Sequence, residues 1–458
     1  MFEEGLVLNS LSKTIADFIV KNKFEDLPNE VVEFTKICIL DWLGSAVAGK
    51  DMPPIKIIDD MVKEMGGAPQ ATLITGGKTS VTQAAFVNGA ASHIVELDDI
   101  HKASIIHAAT VVIPAALAVA EWKNKSGKDL IEAVAIGYDV CYRVGEAVSP
   151  SHYYYWHNTA TCGTFGAAAA VAKLLNLNTE QIINTLGSAG TQAAGLWEFI
   201  EDGAMSKQLH PGKAAMNGVI SGLLSEKGFT GARRILEGRR GFFEAMSEHY
   251  DAAKVTNQLG EVFKIIENSF KIHASCRHTH STMDIVIDLA KEHDLKVDDV
   301  ESISVGTYQV ALDITNNADP TTVYASKFSL QFCTALALVK RQGGLLDFTE
   351  DSLNDPIIRG LMKKVQVGVE TSIHDAYPEK WGSLVKLKLT NGEVIQKQSE
   401  YPKGDPENPP SKDEMIAKFY QLASKLPVQQ IESYVNQILN LDEIQNINEL
   451  LQNGVCVK

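Results

Sequence analysis

Helical periodicity dominates the first 265 residues and limits the chain to folds with a large helical part. In 128–146, apolar residues recur every three or four positions and form one stripe, which predicts an amphipathic helix. The segment 163–175 carries small residues on every face, which predicts a buried helix packed closely on its neighbours. Gly187, Gly190 and Gly195 predict places where the backbone approaches another helix or a ligand.

From about residue 296 the pattern becomes that of strands. Three segments alternate apolar and polar residues: 300–308, 365–370 and 384–395. Within the last segment, Asn391-Gly392 predicts a hairpin with a type I′ turn. Two helical stretches separate the strands, 281–293 and about 327–341, so we predict an α+β unit.

A proline-rich segment, 401–411, predicts a linker, and Ser411 with Glu414 forms a capping box that opens a helical tail over 412–453.

The chain is therefore predicted to be mainly α with an α+β part: a large all-helical domain formed by both chain ends, with the α+β domain inserted in it. The predicted domains are 1–268 with 403–458, and 269–402. A cleft between such domains commonly holds a small-molecule site.

The chain has a formal net charge of −15 at pH 7 and no run of lysine or arginine, and aromatic residues make up only 7% of it. It therefore lacks both the basic face and the stacking platform that nucleic-acid binding needs. We expect no nucleic-acid partner.

The cysteines lie far apart, mostly in apolar runs, and no Cys-x-x-Cys occurs, which favours reduced, buried thiols over disulfides or a zinc ribbon. They are Cys38, Cys141, Cys162, Cys276, Cys333 and Cys456. The acidic start of the chain lacks the basic region of a signal peptide, and the apolar stretch 108–121 is too short to span a bilayer. We expect a soluble cytoplasmic protein.

Residues 93–107 contain three histidines and three carboxylates among aliphatic residues. His107 precedes a helical run, and a histidine near a helix N-terminus stays neutral and can act as a base. Asp98 and Asp99 can fix its tautomer, although they could equally cap a helix end. No helical zinc spacing occurs, and we predict no metal, although four residues are of metal-ligand type: His93, Asp98, His101 and His107.

Two further segments carry polar groups in apolar surroundings. His157 follows a run of aromatic residues and precedes a predicted helix whose first N–H groups could bind a carboxylate. Lys207 and Lys213 flank His210, and a partly buried lysine needs an anion from the protein or from a substrate. The alternatives are a core histidine in an aromatic cage and lysines at the surface.

The last segment with such groups, 275–284, lies just before the α+β part. Arg277 offers a bidentate clamp for a carboxylate, and His278 and His280 follow it. The short separations suit an extended segment better than a metal site. A salt bridge at the domain junction is the alternative explanation for Arg277.

Together these clusters place local positive charge in an acidic protein, as a site for a small polyanion requires. The chain has no phosphate-binding loop, dinucleotide-binding glycine motif, nucleophile elbow or catalytic Cys/His signature. The residues therefore favour cofactor-free acid/base chemistry at a carbon next to a carboxylate or carbonyl.

Segments in the same order along the whole chain resemble the MmgE/PrpD family, among them HIVELDDIHKASIIHAATVVIPAALAVAE, WHNTATCGTFGAAAA, AMSKQLHPGKAA, SCRHTHSTMD and GDPENP. This family includes 2-methylcitrate dehydratases, cis-aconitate decarboxylases and iminodisuccinate epimerases. The resemblance implies a helical domain built from both chain ends, an α+β lid domain, a homodimer, and no required cofactor or metal.

The resemblance also implies roles for individual residues. His107 and His157 would transfer protons, with Asp98 as the acidic group beside them. Lys207 would contact a substrate carboxylate or the transition state, and His280 would orient the substrate or act as an acid. Beyond these roles, we predict six substrate-binding residues from the polar clusters of the sequence: Glu96, Asp99, His101, Lys213, Arg277 and His278.

Two positions differ from the family pattern, because Glu96 stands where Asp is usual and Ile100 where Thr is usual. We predict a lyase that removes water or CO2 from a small di- or tricarboxylate. The alternatives are an epimerase of an amino- or imino-dicarboxylate, a non-catalytic carboxylate-binding dimer and a metal-dependent hydrolase.

Overall fold

The structure, a computed structural model, describes residues 10–452, so the acidic start of the chain and Cys456 lie outside the described residues. The protein is mainly α with an α+β part, as predicted. Two compact units form: the chain up to Asn268 together with the chain from Met415 onward, and Ser269–Glu414. Residues 403–414, predicted with the helical domain, therefore lie in the second unit.

In its described residues, the first unit is helical apart from one short hairpin. Its elements up to Asn268 are α1 (Leu11–Lys21), α2 (Asn29–Gly49), α3 (Pro53–Met65), β1 (Ala71–Thr72), β2 (Lys78–Thr79), α4 (Val81–His93), α5 (Ala109–Trp122), α6 (Gly127–Val148), α7 (Asn158–Leu174), α8 (Thr179–Gly190), α9 (Phe199–Asp202), α10 (Leu209–Glu226), α11 (Phe242–Met246) and α12 (Ala253–Thr256). No helix in 10–452 combines the length and apolar character needed to cross a membrane.

The second unit and the chain that follows it continue this order. Their elements are α13 (His280–Glu292), β3 (Val300–Thr307), α14 (Gln309–Thr315), α15 (Val323–Ser326), α16 (Leu330–Lys340), α17 (Glu350–Asn354), α18 (Pro356–Met362), β4 (Val365–Val369), α19 (Thr371–His374), β5 (Ser383–Leu389), β6 (Val394–Ser399), α20 (Lys412–Leu422), α21 (Val428–Leu439) and α22 (Asn448–Gln452).

Helices α6 and α7 cross closely in the core of the first unit. A capping box of Ser126 and Asp129 starts α6, and the predicted small-residue helix α7 is buried along nearly its whole length. A Cβ on Gly166 would lie 2.6 Å from the Cβ of Cys141 and 2.7 Å from the carbonyl oxygen of Gly137. Glycine is therefore required at this crossing, and the predicted close packing of 163–175 is confirmed.

Both capping boxes read from the sequence are present, and the predicted buried cysteines are also found. The Asn178 side chain accepts from the Gln181 N–H, and the Glu414 carboxylate accepts from the Ser411 N–H. Four cysteines are buried thiols: Cys38, Cys141, Cys162 and Cys333, while Cys276 is only partly buried.

A four-stranded sheet of order β4-β3-β5-β6 organises the second unit. Strand β3 pairs parallel with β4 and antiparallel with β5. The predicted hairpin joins β5 to β6, but its predicted type I′ turn is wrong. Of the two central residues only Gly392 has a positive φ, of 89°. The loop is longer than the two residues of a type I′ hairpin, and a longer loop has one left-handed residue at its end instead of two in succession.

The C-terminal helices return to the first unit through a buried ion pair. The Lys418 ammonium lies 2.5 Å from Asp41 Oδ1 and donates to the Leu97 carbonyl oxygen at 2.8 Å. Asp41 is 2% exposed. The contact therefore joins α2, α20 and the loop after α4, which carries Asp98.

Replacing Lys418 by Met should lower the free energy of unfolding by about 3–5 kcal/mol, because it leaves a buried carboxylate without its cation. Urea unfolding followed by circular dichroism measures this. The matched control is the double variant Asp41→Leu/Lys418→Met, which removes both charges and should recover most of the loss. Equal destabilisation of the single and double variants would contradict the pairing.

Candidate active site

The loop between α4 and α5 folds back on itself and brings its two ends together. The His101 N–H donates to the Ile106 carbonyl oxygen at 2.9 Å. Glu96 and Ile105 have positive φ angles of 60° and 55°. Such angles are uncommon for residues with a Cβ and occur preferentially at functional sites.

Asp98 lies between two histidines at the centre of this loop. Its Oδ2 is 2.7 Å from His93 Nδ1 and 3.2 Å from His107 Nδ1, and the Asp98 side chain is fully buried. Burial alone would raise the pKa of Asp98, but His93 and His107 outweigh it and hold that pKa well below its usual value. Asp98 is therefore an ionised carboxylate that orients both rings.

The tautomer of His107 follows from its partners. Its Nδ1 also lies 2.6 Å from the backbone carbonyl oxygen of Asp99, which can only accept, so Nδ1 carries the proton. The Nε2 atom then has a lone pair, and within 10–452 it has no hydrogen-bond partner. His107 Nε2 is thus the ring nitrogen that can accept a proton.

The side chain of Asp99 points into the core. Its oxygens accept hydrogen bonds from the Tyr138 hydroxyl and the Asn268 amide, both at 2.7 Å, and from the Ala109 N–H at 3.1 Å. Burial raises the pKa of Asp99 to about 7. The side chain of Asp99, which is predicted to bind substrate, therefore anchors the loop in the core. Only the backbone carbonyl oxygen of Asp99 contacts His107.

His157 joins the same cluster from the start of α7. Its ring lies 5.8 Å from His93 and 4.7 Å from Trp197 between ring centres, and its Nδ1 is 3.0 Å from His210 Nδ1. Burial, followed by the charge of neighbouring groups, lowers the pKa of His157 well below its usual value. We call His93, His107, His157 and His210 the histidine cluster.

Lys207 supplies the positive charge next to the histidine cluster. It lies on a 3₁₀ turn, Met205–Gln208, and forms an ion pair with Glu96. Its charge lowers the pKa values of His157 and His210, each of which is lowered first by burial. The exposed Lys213, on α10, has no ion pair with any residue in 10–452.

The structure places His101 in a separate polar group. Its ring stacks on Tyr142 at 4.1 Å, and its Nε2 lies 3.3 Å from Glu267 and 3.7 Å from Glu146. Lys264 bridges the two carboxylates at 3.0 and 3.1 Å. Both ring nitrogens of His101 are engaged, because Nδ1 bonds to Ser104, so this predicted substrate-binding residue instead braces the loop.

Arg277, His278 and His280 belong to the second unit. Arg277 forms an ion pair with Asp405 and donates to the Nδ1 of His280 at 3.1 Å. His280 Nε2 is 3.2 Å from the Ser275 carbonyl oxygen. Within this unit, both nitrogens of His280 and the predicted carboxylate clamp are occupied by protein groups.

His278 stacks on an aromatic surface of the second unit. Its ring lies 4.7 Å from Trp381 with an interplanar angle of 10°, and its Nδ1 is 2.6 Å from the Tyr308 hydroxyl. Burial lowers the pKa of His278 to about 4. This residue is therefore a neutral, packed histidine.

Among the residues that the structure describes, two triads have ligand atoms close enough to hold a divalent ion: His93, Asp98 and His107, and His101, Glu146 and Glu267. In the first triad, the atoms that would bind an ion already contact one another, because both histidine Nδ1 atoms lie against Asp98 Oδ2. In the second, the Lys264 ammonium already bridges both carboxylates.

Sequence reasoning did not assign His93 or His210 to the acid/base site. His93 entered only as a ligand type and His210 only as the neighbour of two lysines. Their signal was the density of histidines in apolar segments, but which ring meets which depends on the packing of α4, α7 and α10.

Comparison with known proteins identifies the family of the chain. The MmgE/PrpD N-terminal domain matches residues 13–254, and the MmgE/PrpD C-terminal domain matches residues 273–441. A cis-aconitate decarboxylase of Aspergillus terreus is 28% identical and aligns over 93% of this chain and 92% of its own. A cis-aconitate decarboxylase-like protein, oryM, of Aspergillus oryzae is 27% identical over 96% of both chains.

The human cis-aconitate decarboxylase is 26% identical, over 97% of this chain and 94% of its own. Both family domains are present in order, and together they cover most of the chain. The chain is a lyase of the MmgE/PrpD family.

Proposed function

We propose that this protein is a cofactor-independent carboxy-lyase that decarboxylates cis-aconitate or a closely related unsaturated tricarboxylate. The relatives that carry this activity in their names align over more than nine-tenths of the chain. The observation that carries the proposal is the state of His107, whose protonated Nδ1 is held by the Asp99 carbonyl oxygen and Asp98 while Nε2 has no partner in 10–452.

Decarboxylation breaks the bond between a carbon and its carboxylate and leaves the electron pair on that carbon. In an unsaturated tricarboxylate the pair spreads over the neighbouring double bond and its carboxylate, and a proton must then be added to carbon. Lys207 stabilises the negative charge that develops. His107 and His157 are the groups proposed to deliver this proton, which Nε2 first takes up from solvent.

Glu96 controls the access of substrate to Lys207. The pair is partly exposed, 20% for Lys207 and 29% for Glu96, so a substrate carboxylate can replace Glu96 on the ammonium. A glutamate is one methylene longer than the aspartate usual in the family, and it approaches Lys207 from a backbone with a positive φ. Glu96 therefore influences which carboxylate substrate binds at Lys207.

NMR of candidate di- and tricarboxylates incubated with the protein in D2O tests this function. We expect a product that has lost one carboxylate and gained one deuterium on carbon. Release of water without loss of CO2 would indicate a dehydratase. Deuterium exchange without net product would indicate the epimerase that the sequence left as an alternative.

We also propose that the protein is a homodimer. Six large apolar side chains are exposed on neighbouring segments of the first unit, and a monomer rarely leaves so many together in water. They are Tyr154, Tyr155, Leu196, Ile200, Met205 and Leu209. Light scattering after size-exclusion chromatography should give twice the mass of the chain.

Replacing Lys207 by Met should lower kcat/KM for the accepted tricarboxylate by about 100- to 1,000-fold, because the developing charge loses its cation. Steady-state kinetics measure this, with circular dichroism to verify folding. The control is Lys227→Met at the exposed end of the same helical segment, which should retain full activity. Loss of fold together with activity in the Lys207 variant would instead make this lysine structural.

Replacing His107 by Asn should lower kcat by about 100- to 10,000-fold, because the amide cannot carry a proton to or from carbon. The matched control is His249→Asn, at an exposed histidine of the same unit. Single-turnover kinetics distinguish the chemical step from binding. Unchanged kcat in the His107 variant would remove this residue from proton transfer.

Dialysis against EDTA should leave kcat unchanged, because the proposed steps use only side chains of the protein. Activity and metal content are measured on the same samples before and after dialysis. A loss that one divalent ion restores would contradict cofactor independence and favour the triad of His93, Asp98 and His107 as its site.

A further inference from the structure

The contact between His157 and His210 joins two like atoms. Their Nδ1 atoms lie 3.0 Å apart, with ring centres separated by 5.2 Å. An imidazole nitrogen is a donor when protonated and an acceptor when not. One Nδ1 must therefore carry a proton and the other a lone pair.

The surroundings hold the two rings in this contact. The His157 N–H donates to the Gly195 carbonyl oxygen at 2.9 Å. A Cβ on Gly195, whose φ is 151°, would lie 3.4 Å from His210 Nδ1. Trp197 packs on His157 at 4.7 Å and Phe199 on His210 at 5.4 Å between ring centres. The predicted close approach at Gly195 is made to Ala160, whose Cβ would lie 2.6 Å from the added Cβ, and His210 is in ordinary van der Waals contact beside it.

The number of protons on this pair determines what His157 can do. A neutral pair carries two ring protons, one of them between the Nδ1 atoms. If the shared proton is on His157, its Nε2 is a base; if it is on His210, His157 carries its own proton on Nε2 and is an acid. His157 Nε2 has no hydrogen-bond partner within 10–452, so it is the ring nitrogen left to exchange a proton with a substrate.

We propose that His210 is a positioning residue that sets the tautomer of His157, so that the pair stores one proton and delivers it through His157 Nε2 to the substrate carbon. This inference rests on the proposed decarboxylation.

The proton balance of the step is complete. The loaded pair carries three ring protons and one positive charge: on His157 Nε2, between the Nδ1 atoms and on His210 Nε2. When CO2 leaves, the N–H bond at His157 Nε2 breaks and a C–H bond forms. The shared proton then resides on His157 Nδ1, His210 keeps its Nε2 proton, and the pair is neutral.

The charges that face the pair explain when it is loaded. His93 faces it from α4, His107 from the loop and Lys207 from the 3₁₀ turn, with Asp98 and Glu96 as their counter-charges. Burial lowers the pKa of His210 to about 4, with further lowering by His93 and Lys207, so the free protein holds the neutral pair. A bound polyanion favours the charged form of the pair, and the third proton enters from solvent.

Kinetics of two variants test the role of His210. His210→Leu should lower kcat about 100-fold with little change in KM. His210→Asn should restore at least a tenth of the activity, because its amide can reach the Nδ1 position and either donate or accept. The pH dependence of kcat should shift in both variants, since neither side chain can hold the third proton. Full activity of the Leu variant, or equal loss in both variants, would overturn the proposal.

NMR of protein labelled with ¹⁵N-histidine tests the pair without turnover. In the wild type, one ring should be protonated at Nδ1 and the other at Nε2, and His210→Leu should change the tautomer of His157. Protonation of both rings at Nε2 alone would overturn the proposal. Complementary tautomers in a protein that decarboxylates no tricarboxylate would show that the proposed function fails while the pairing holds.

Discussion

One buried carboxylate determines the geometry of this site. Asp98 is fully buried, accepts a hydrogen bond from His93 and lies 3.2 Å from His107 Nδ1, so a single negative charge orients two rings. A buried charge is costly unless it is paired and hydrogen-bonded. The pairing occurs where the chain turns between α4 and α5. The tautomer of His107, the proposed base, therefore depends on the conformation of this loop.

The loop that carries Asp98 is held from several directions. Lys418 donates to the carbonyl oxygen of Leu97, the Tyr138 hydroxyl donates to Asp99, and His101 stacks on Tyr142. Each contact fastens a different residue of the loop to a helix of the first unit. Loops are usually the more mobile parts of a fold, and these contacts pre-organise this one, as acid/base chemistry requires.

The sequence located the segments of the site better than the directions of its side chains. Ionisable residues in apolar segments pointed to Asp98, His107, His157 and Lys207, which lie around one cluster. Adjacent residues nevertheless diverge, because the Asp99 side chain enters the core while Asp98 meets the histidines. The positive φ at Glu96 changes the path of this loop, and no periodic rule predicts where its side chains point.

By itself the sequence determined the fold class, the helical and strand segments and two capping boxes, because periodicity and capping act between residues close in the chain. The hairpin was predicted on the same basis, but its turn type depended on a loop length that the Asn-Gly pair does not specify. Only the tertiary structure decided which buried polar groups meet. Asp41 and Lys418 are 377 positions apart, and His157 meets His210 only because two helix ends pack together. Such contacts satisfy buried charge and hydrogen bonding across the whole unit, so no local pattern encodes them.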